Sequence, residues 1–175
     1  MTSDDRRAAD LDDFVAEVDS GARKPLGMAA GVIATIAFLW SSYQLYIASA
    51  IPFWLTQNFG VNLVFNNQEA RQIHLAFAIA LASFAYPLFK RSPRHRIPAY
   101  DWVLAALGVA SCLYLFVFKD DIANRAGLPT LADLVISTVG LLSLGIAVYR
   151  SLGLPMLVVA GVFVLYVFFG HFAWL

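Results

Sequence analysis

The stretch PLGMAAGVIATIAFLWSSYQLYIASAIPFWLTQNFGVNLVFNNQ, residues 25–68, runs for 44 positions without an Asp, Glu, Lys or Arg. Its first half, about 27–47, is as long as a helix needs to cross roughly 30 Å of hydrocarbon, which takes about 17–25 apolar residues. Further charge-free runs follow at 72–89, 102–118, 134–149 and 151–175. This recurrence decides the fold class: an all-α, polytopic membrane protein. Composition agrees, because 60% of the 175 residues are hydrophobic and 14% charged, against about a quarter charged in soluble domains. The mean hydropathy is +0.70. Alternation at period two is absent, which removes a β-barrel.

Five spans are predicted, at about 27–47, 73–89, 102–118, 131–149 and 154–172. Pro25 stands where a helix start tolerates it. Residues between the first and second spans, among them Pro52, Gln57, Asn58, Gly60, Asn62 and Asn66, read as an uncharged polar loop. Trp54, Trp102 and Trp174 fall near span ends, where indoles favour the headgroup layer. With the N-terminus in the cytoplasm, nine basic residues lie inside (Arg6, Arg7, Arg23, Lys24, Lys90, Arg91, Arg94, Arg96, Arg150) and three outside (Arg71, Lys119, Arg125). Positive charge prefers the cytoplasmic side, so the N-terminus is expected inside and the C-terminus outside.

Several functions fall away. A formal net charge of +0 offers no basic face for nucleic acid. The single cysteine, Cys112, excludes a disulfide framework and a cysteine-rich metal site. No Asp, Glu, Lys or Arg sits mid-span, where such groups mark proton relays and ion paths. The reading is of a support with no catalytic, metal or substrate site and no cofactor, not an enzyme. Residues 1–24 carry seven acids against four bases, unlike the basic start of a secretory signal. In them Leu11, Phe14, Val15 and Val18 share one face of an amphipathic helix, which reads as a cytoplasmic docking segment or a short interfacial tail.

Trp40, Tyr43 and Gln44 share a face of the first span, and Gln44 in hydrocarbon needs a hydrogen-bond partner on a neighbouring helix. Arg71 and His74, three apart on the second span, read as a contact to an acidic outer partner or as headgroup-layer residues. Ala76/Ala80 and Ala78/Ala82 are small-xxx-small pairs suited to close packing. Thr130 and Asp133 form a helix-capping arrangement. Lys90, Arg91, Arg94 and Arg96 form a basic inner loop that fixes topology and meets lipid headgroups. His74 and His171 stand at outer span ends, so a competing reading is the membrane anchor of a redox complex with haem between them.

Five strings carry a family resemblance: FVAEVDSGARKPLG (14–27), FLWSSYQLYIAS (38–49), RQIHLAFAIALASFAYP (71–87), IPAYDWVLAALGVASCLYLF (97–116) and AGLPTLADLVISTVGLL (126–142). In this order they resemble the amino-terminal membrane region of TAXI-type tripartite ATP-independent periplasmic (TRAP) transporters. The most specific parts are Arg71 to Ala78 and Tyr100 to Trp102. The resemblance implies a four-helix small (Q-type) bundle, about 27–149, with a fifth, connector-like helix. It implies a scaffold in the bacterial inner membrane beside a large M-type transport subunit that works as an elevator. It also implies a periplasmic TAXI-type binding protein that delivers organic acids, with uptake driven by an ion gradient. Substrate and ion sites would lie in other components. Most such permeases are single long chains, so the resemblance fits either a split subunit or the first part of a fused permease. On this reading His74 joins Trp40, Tyr43 and Gln44 in contacts between helices or to the large subunit. Arg71, Lys119, Asp120 and Arg125, on the outer loops, are the candidate contacts for the binding protein.

Overall fold

The computed structural model describes residues 22–23, 25–60, 63–88, 92 and 96–170. These residues form seven helices and no strand: α1 (Met28–Ala48), α2 (Ile51–Phe59), α3 (Asn67–Ala85), α4 (Ala99–Val117), α5 (Lys119–Asn124), α6 (Leu131–Leu152) and α7 (Leu154–Phe169). The amphipathic pattern of Leu11, Phe14, Val15 and Val18 lies outside the described residues.

Each of the five predicted spans contains a helix, with shifted ends. Three helices, α1, α4 and α6, are long and apolar enough to cross a membrane. The chain therefore reads as a multi-pass helical membrane protein. Helix α7 is apolar but shorter. Helix α3 begins at Asn67, ahead of the predicted start at 73, and its first turns carry Gln68, Glu69, Arg71 and Gln72.

The stretch after α1, expected as loop, holds a helix instead. Pro52 occupies the first turn of α2, where its missing N–H costs nothing, and Gly60 ends it at φ 67°. Start and stop signals thus flank a nine-residue helix inside what composition alone made look irregular.

The centre of the molecule is the packing of α3, α4 and α6, with α1 resting on α3 and α7 on α6. Ile79 and Phe84 of α3, Ala105 and Cys112 of α4 and Ala147 of α6 are its buried apolar residues. Gly108 makes the α3–α4 approach close: a Cβ there would stand 2.5 Å from Cγ2 of Ile79 and 3.3 Å from Cβ of Ser143. Lipid is as apolar as a leucine side chain, so such helices associate by close packing of small residues and by hydrogen bonds. Helices α1 and α7 contribute no buried residue, and α7 exposes Phe163, Val167 and Phe168. Apolar surface on that scale belongs against lipid or another protein.

Candidate functional site

The charged residues of the bundle gather at its two ends. At one end Asp101, in the first turn of α4, is fully buried. One of its carboxylate oxygens is bonded by Arg23, and the other lies 2.7 Å from Nη1 of Arg150. All three side chains are 0% exposed.

Helix electrostatics explains why these residue types meet here. A helix C-terminus leaves its last carbonyls unpaired and carries partial negative charge, while the N-terminus carries partial positive charge. Asp101 lies at the positive start of α4, and Arg150 in the last turn of α6. Both arginines then reach the end of α3. Arg23 donates from Nη1 to the Phe84 carbonyl at 3.0 Å and from its backbone N–H to that of Ala85 at 2.8 Å. Arg150 Nη1 donates to the carbonyls of Ser83 at 3.1 Å and Tyr86 at 3.4 Å. The cluster joins the segment before α1 to the ends of three helices.

At the opposite end two acids each close a capping box. Glu69 accepts from the Asn66 backbone N–H at 2.8 Å while the Asn66 side chain accepts from Glu69 N–H at 2.8 Å. Asp133 accepts from the Thr130 backbone N–H at 2.8 Å, and the Thr130 hydroxyl accepts from Asp133 N–H at 3.3 Å. Each acid also takes a cation from beside α5. Lys119 bonds Glu69, and Arg125 Nη2 lies 2.9 Å from Asp133. Tyr114 donates to the same Asp133 oxygen at 2.7 Å. The short α5 is thus tied at its start to α3 and just past its end to α6. The Lys119 bond holds the Glu69 carboxyl below its ordinary range, with the Asn66 N–H adding to it, and Glu69 in turn raises Lys119.

Between the two ends, α1 is joined to α3 through polar side chains. Trp40 Nε1 donates to His74 Nδ1 at 3.2 Å, and the Gln44 amide meets the same ring nitrogen. The Trp40 and His74 rings meet edge-on with centroids 5.0 Å apart. Tyr43 donates to the Ala70 carbonyl at 3.4 Å.

Among the sequence-derived candidates, Trp40, Tyr43, Gln44 and His74 are therefore brought together at the α1–α3 contact. The four outer-loop candidates divide. Arg71 and Asp120 are exposed, and Arg71 has no ion pair among the described residues. Lys119 and Arg125, by contrast, are engaged in ion pairs within the chain. Arg96 is exposed, whereas Lys90, Arg91, Arg94 and His171 lie outside the described residues. Asp133 does more than cap its helix, since Tyr114 and Arg125 converge on it.

Sequence reading missed the buried cluster. Arg23 and Arg150 counted only as topology charges, and Asp101 had no role. Its place three residues after Pro98, at the start of an apolar run, was the available signal. Among the described residues, no group of three or more His, Cys, Asp or Glu is placed to hold a metal ion. The arrangement fixes helix ends with paired charges. No family model, no curated protein and no solved structure matches this chain.

Proposed function

We propose that this chain is the small scaffold subunit, or the equivalent amino-terminal region, of a TAXI-type TRAP transporter in the bacterial inner membrane. Its α1, α3, α4 and α6 would form the four-helix Q-type bundle, with α7 as the connector-like fifth crossing. It would bind a large M-type subunit that carries organic acids and coupling ions, and a periplasmic binding protein would dock on the outer side. The end bearing Arg23, Asp101 and Arg150 then faces the cytoplasm.

The observation that carries the reading is where the charges lie. Among the described residues, the Asp, Glu, Lys and Arg side chains that enter the bundle are paired at its two ends, and the apolar faces of α1 and α7 stay open between them. A stationary element of a moving transporter needs stiffness and apolar area for a partner, with no ion path of its own. The sequence strings at 14–27, 38–49, 71–87, 97–116 and 126–142 point to the same family.

Reconstitution tests it. Proteoliposomes holding this chain alone should take up no organic acid under a sodium or proton gradient. Uptake should require both a large polytopic subunit and a soluble binding protein. Gradient-driven uptake by the lone chain overturns the proposal.

A further inference from the structure

Helix α1 packs on α3 but not against α4, so a fissure runs between α1 and α4 with α3 as its floor. Two cavities lie along it. The first, about 590 Å³, lies at the Asp101 end and is bordered by Met28, Ala29 and Val32 of α1, Trp102 of α4, and Arg96 and Ile97 just before α4. The second, about 350 Å³, lies deeper, between Ile36 of α1 and Val109 and Leu113 of α4. Ala76 and Ala80 lie among the α3 residues that line it, and their small side chains leave room there.

The two cavities share helix faces. Val32 and Ile36 are one turn apart on α1, and Trp102, Val109 and Leu113 recur at helical spacing on α4. The fissure is also bipolar. Among the described residues its mouth carries one exposed guanidinium, Arg96, with no ion pair, and one indole, Trp102, about half exposed. Most of the deeper lining is aliphatic or aromatic. A cation and a tryptophan at headgroup level above an apolar slot match the parts of one molecule: an anionic head and a hydrocarbon tail.

We infer that the α1–α4 fissure holds one anionic phospholipid, its phosphate at Arg96 and an acyl chain along Val32, Ile36, Val109 and Leu113. The site rests on the membrane reading alone and does not depend on the transporter proposal. Charge complementarity at Arg96 selects the occupant. A partner's apolar helix would gain nothing from a guanidinium at the mouth, whereas a phosphate gains a charge-assisted bond. The lipid fills the space that α1 leaves beside α4, so α1 is held on both flanks.

The test is native mass spectrometry of the full chain, delipidated in mild detergent and exposed to equal phosphatidylglycerol and phosphatidylcholine. One phosphatidylglycerol should be retained per chain, about fivefold in preference to phosphatidylcholine, the factor that one basic residue near the membrane surface supplies. Arg96→Gln should abolish the preference. Val32→Trp should lower retention of both lipids, because it fills the slot. Thermal unfolding of each variant checks that the bundle is intact, and Arg96→Glu serves as a second charge variant. Equal retention of the two lipids by the unaltered chain, or an unchanged preference in Arg96→Gln, overturns the inference. So does a Val32→Cys variant that cross-links in native membranes to another protein's helix, which would give the groove to a partner.

Discussion

Arg150 on α6 and Asp101 on α4 meet 2.7 Å apart with both side chains fully buried, and Arg23 takes the other oxygen of the same carboxylate. Two cations on one anion leave the cluster with one excess positive charge. The end of α3 answers it, because its carbonyls at Ser83, Phe84 and Tyr86 accept from the same guanidinium groups. Deleting one partner of a buried pair costs about 3–5 kcal/mol, since it strands the other charge. Asp101→Asn strands two arginines at once and should give the largest loss of thermal stability of any single substitution at this end. Arg150→Met removes the excess charge and should cost less. Equal losses, or a stable Asp101→Asn protein, would show that the carboxylate does not organise the cluster.

A Cβ on Gly108 meets a methyl on the stiff, β-branched Ile79 at 2.5 Å. Gly108→Ala should therefore cost about 1–3 kcal/mol, the usual penalty of overpacking, despite alanine's better helix propensity. The Gly108→Ala/Ile79→Ala double variant should be less destabilised than the sum of the two single changes. Strict additivity in thermal unfolding would place the two residues out of contact.

At the opposite end the pH dependence has a fixed sign. Glu69 is held below its ordinary value of 4.5, first by Lys119 and then by the Asn66 N–H. A depressed carboxyl stabilises the fold above that value, and the contribution disappears as pH falls through the folded-state pKa. Lys119 is raised above 10.5 by Glu69, so its share is complete below 10.5 and is lost at higher pH. Glu69→Gln keeps a residue able to close the capping box while removing the charge. Its stability deficit should hold at neutral pH and vanish in acid. A deficit that persists in acid would assign the effect to the cap.

Capping and docking can be separated at the same end. Thr130→Ala removes the hydroxyl that accepts from Asp133 N–H and should cost about 1 kcal/mol. Charge reversal at Lys119 or Arg125 breaks an internal ion pair and should lower stability. Reversal at the exposed Arg71 or Asp120 should leave stability unchanged, and, if the binding protein docks here, weaken docking in a salt-dependent manner. Docking and salt response unchanged in both variants would remove this face from the account.

Much of the architecture was legible in the sequence because hydrocarbon permits few solutions. Charge-free runs located a helix within each predicted span, and Thr130 with Asp133 announced a cap. The shared face of Trp40, Tyr43 and Gln44 announced a polar helix contact, and His74 and Ala70 of α3 prove to be its acceptors. What stayed hidden depends on tertiary distance. Arg23 and Asp101 are 78 positions apart, and nothing local tells a lone charge at a span end whether it faces water or another helix end. Helix α2 was obscured for a different reason. Its residues run straight into the Asn- and Gln-rich stretch that follows, and that stretch outweighed the Pro52 and Gly60 signals that bound the helix.

The central claim, that this chain supports a larger transport subunit, is tested most directly by mild-detergent purification from native membranes with mass spectrometry of everything that accompanies it. The account predicts a stoichiometric membrane protein of ten or more spans, about twenty apolar residues each, or the same spans as a continuation of this chain. Recovery of the chain with neither, or with a flavin-, haem- or iron–sulfur-containing partner in its place, would contradict it.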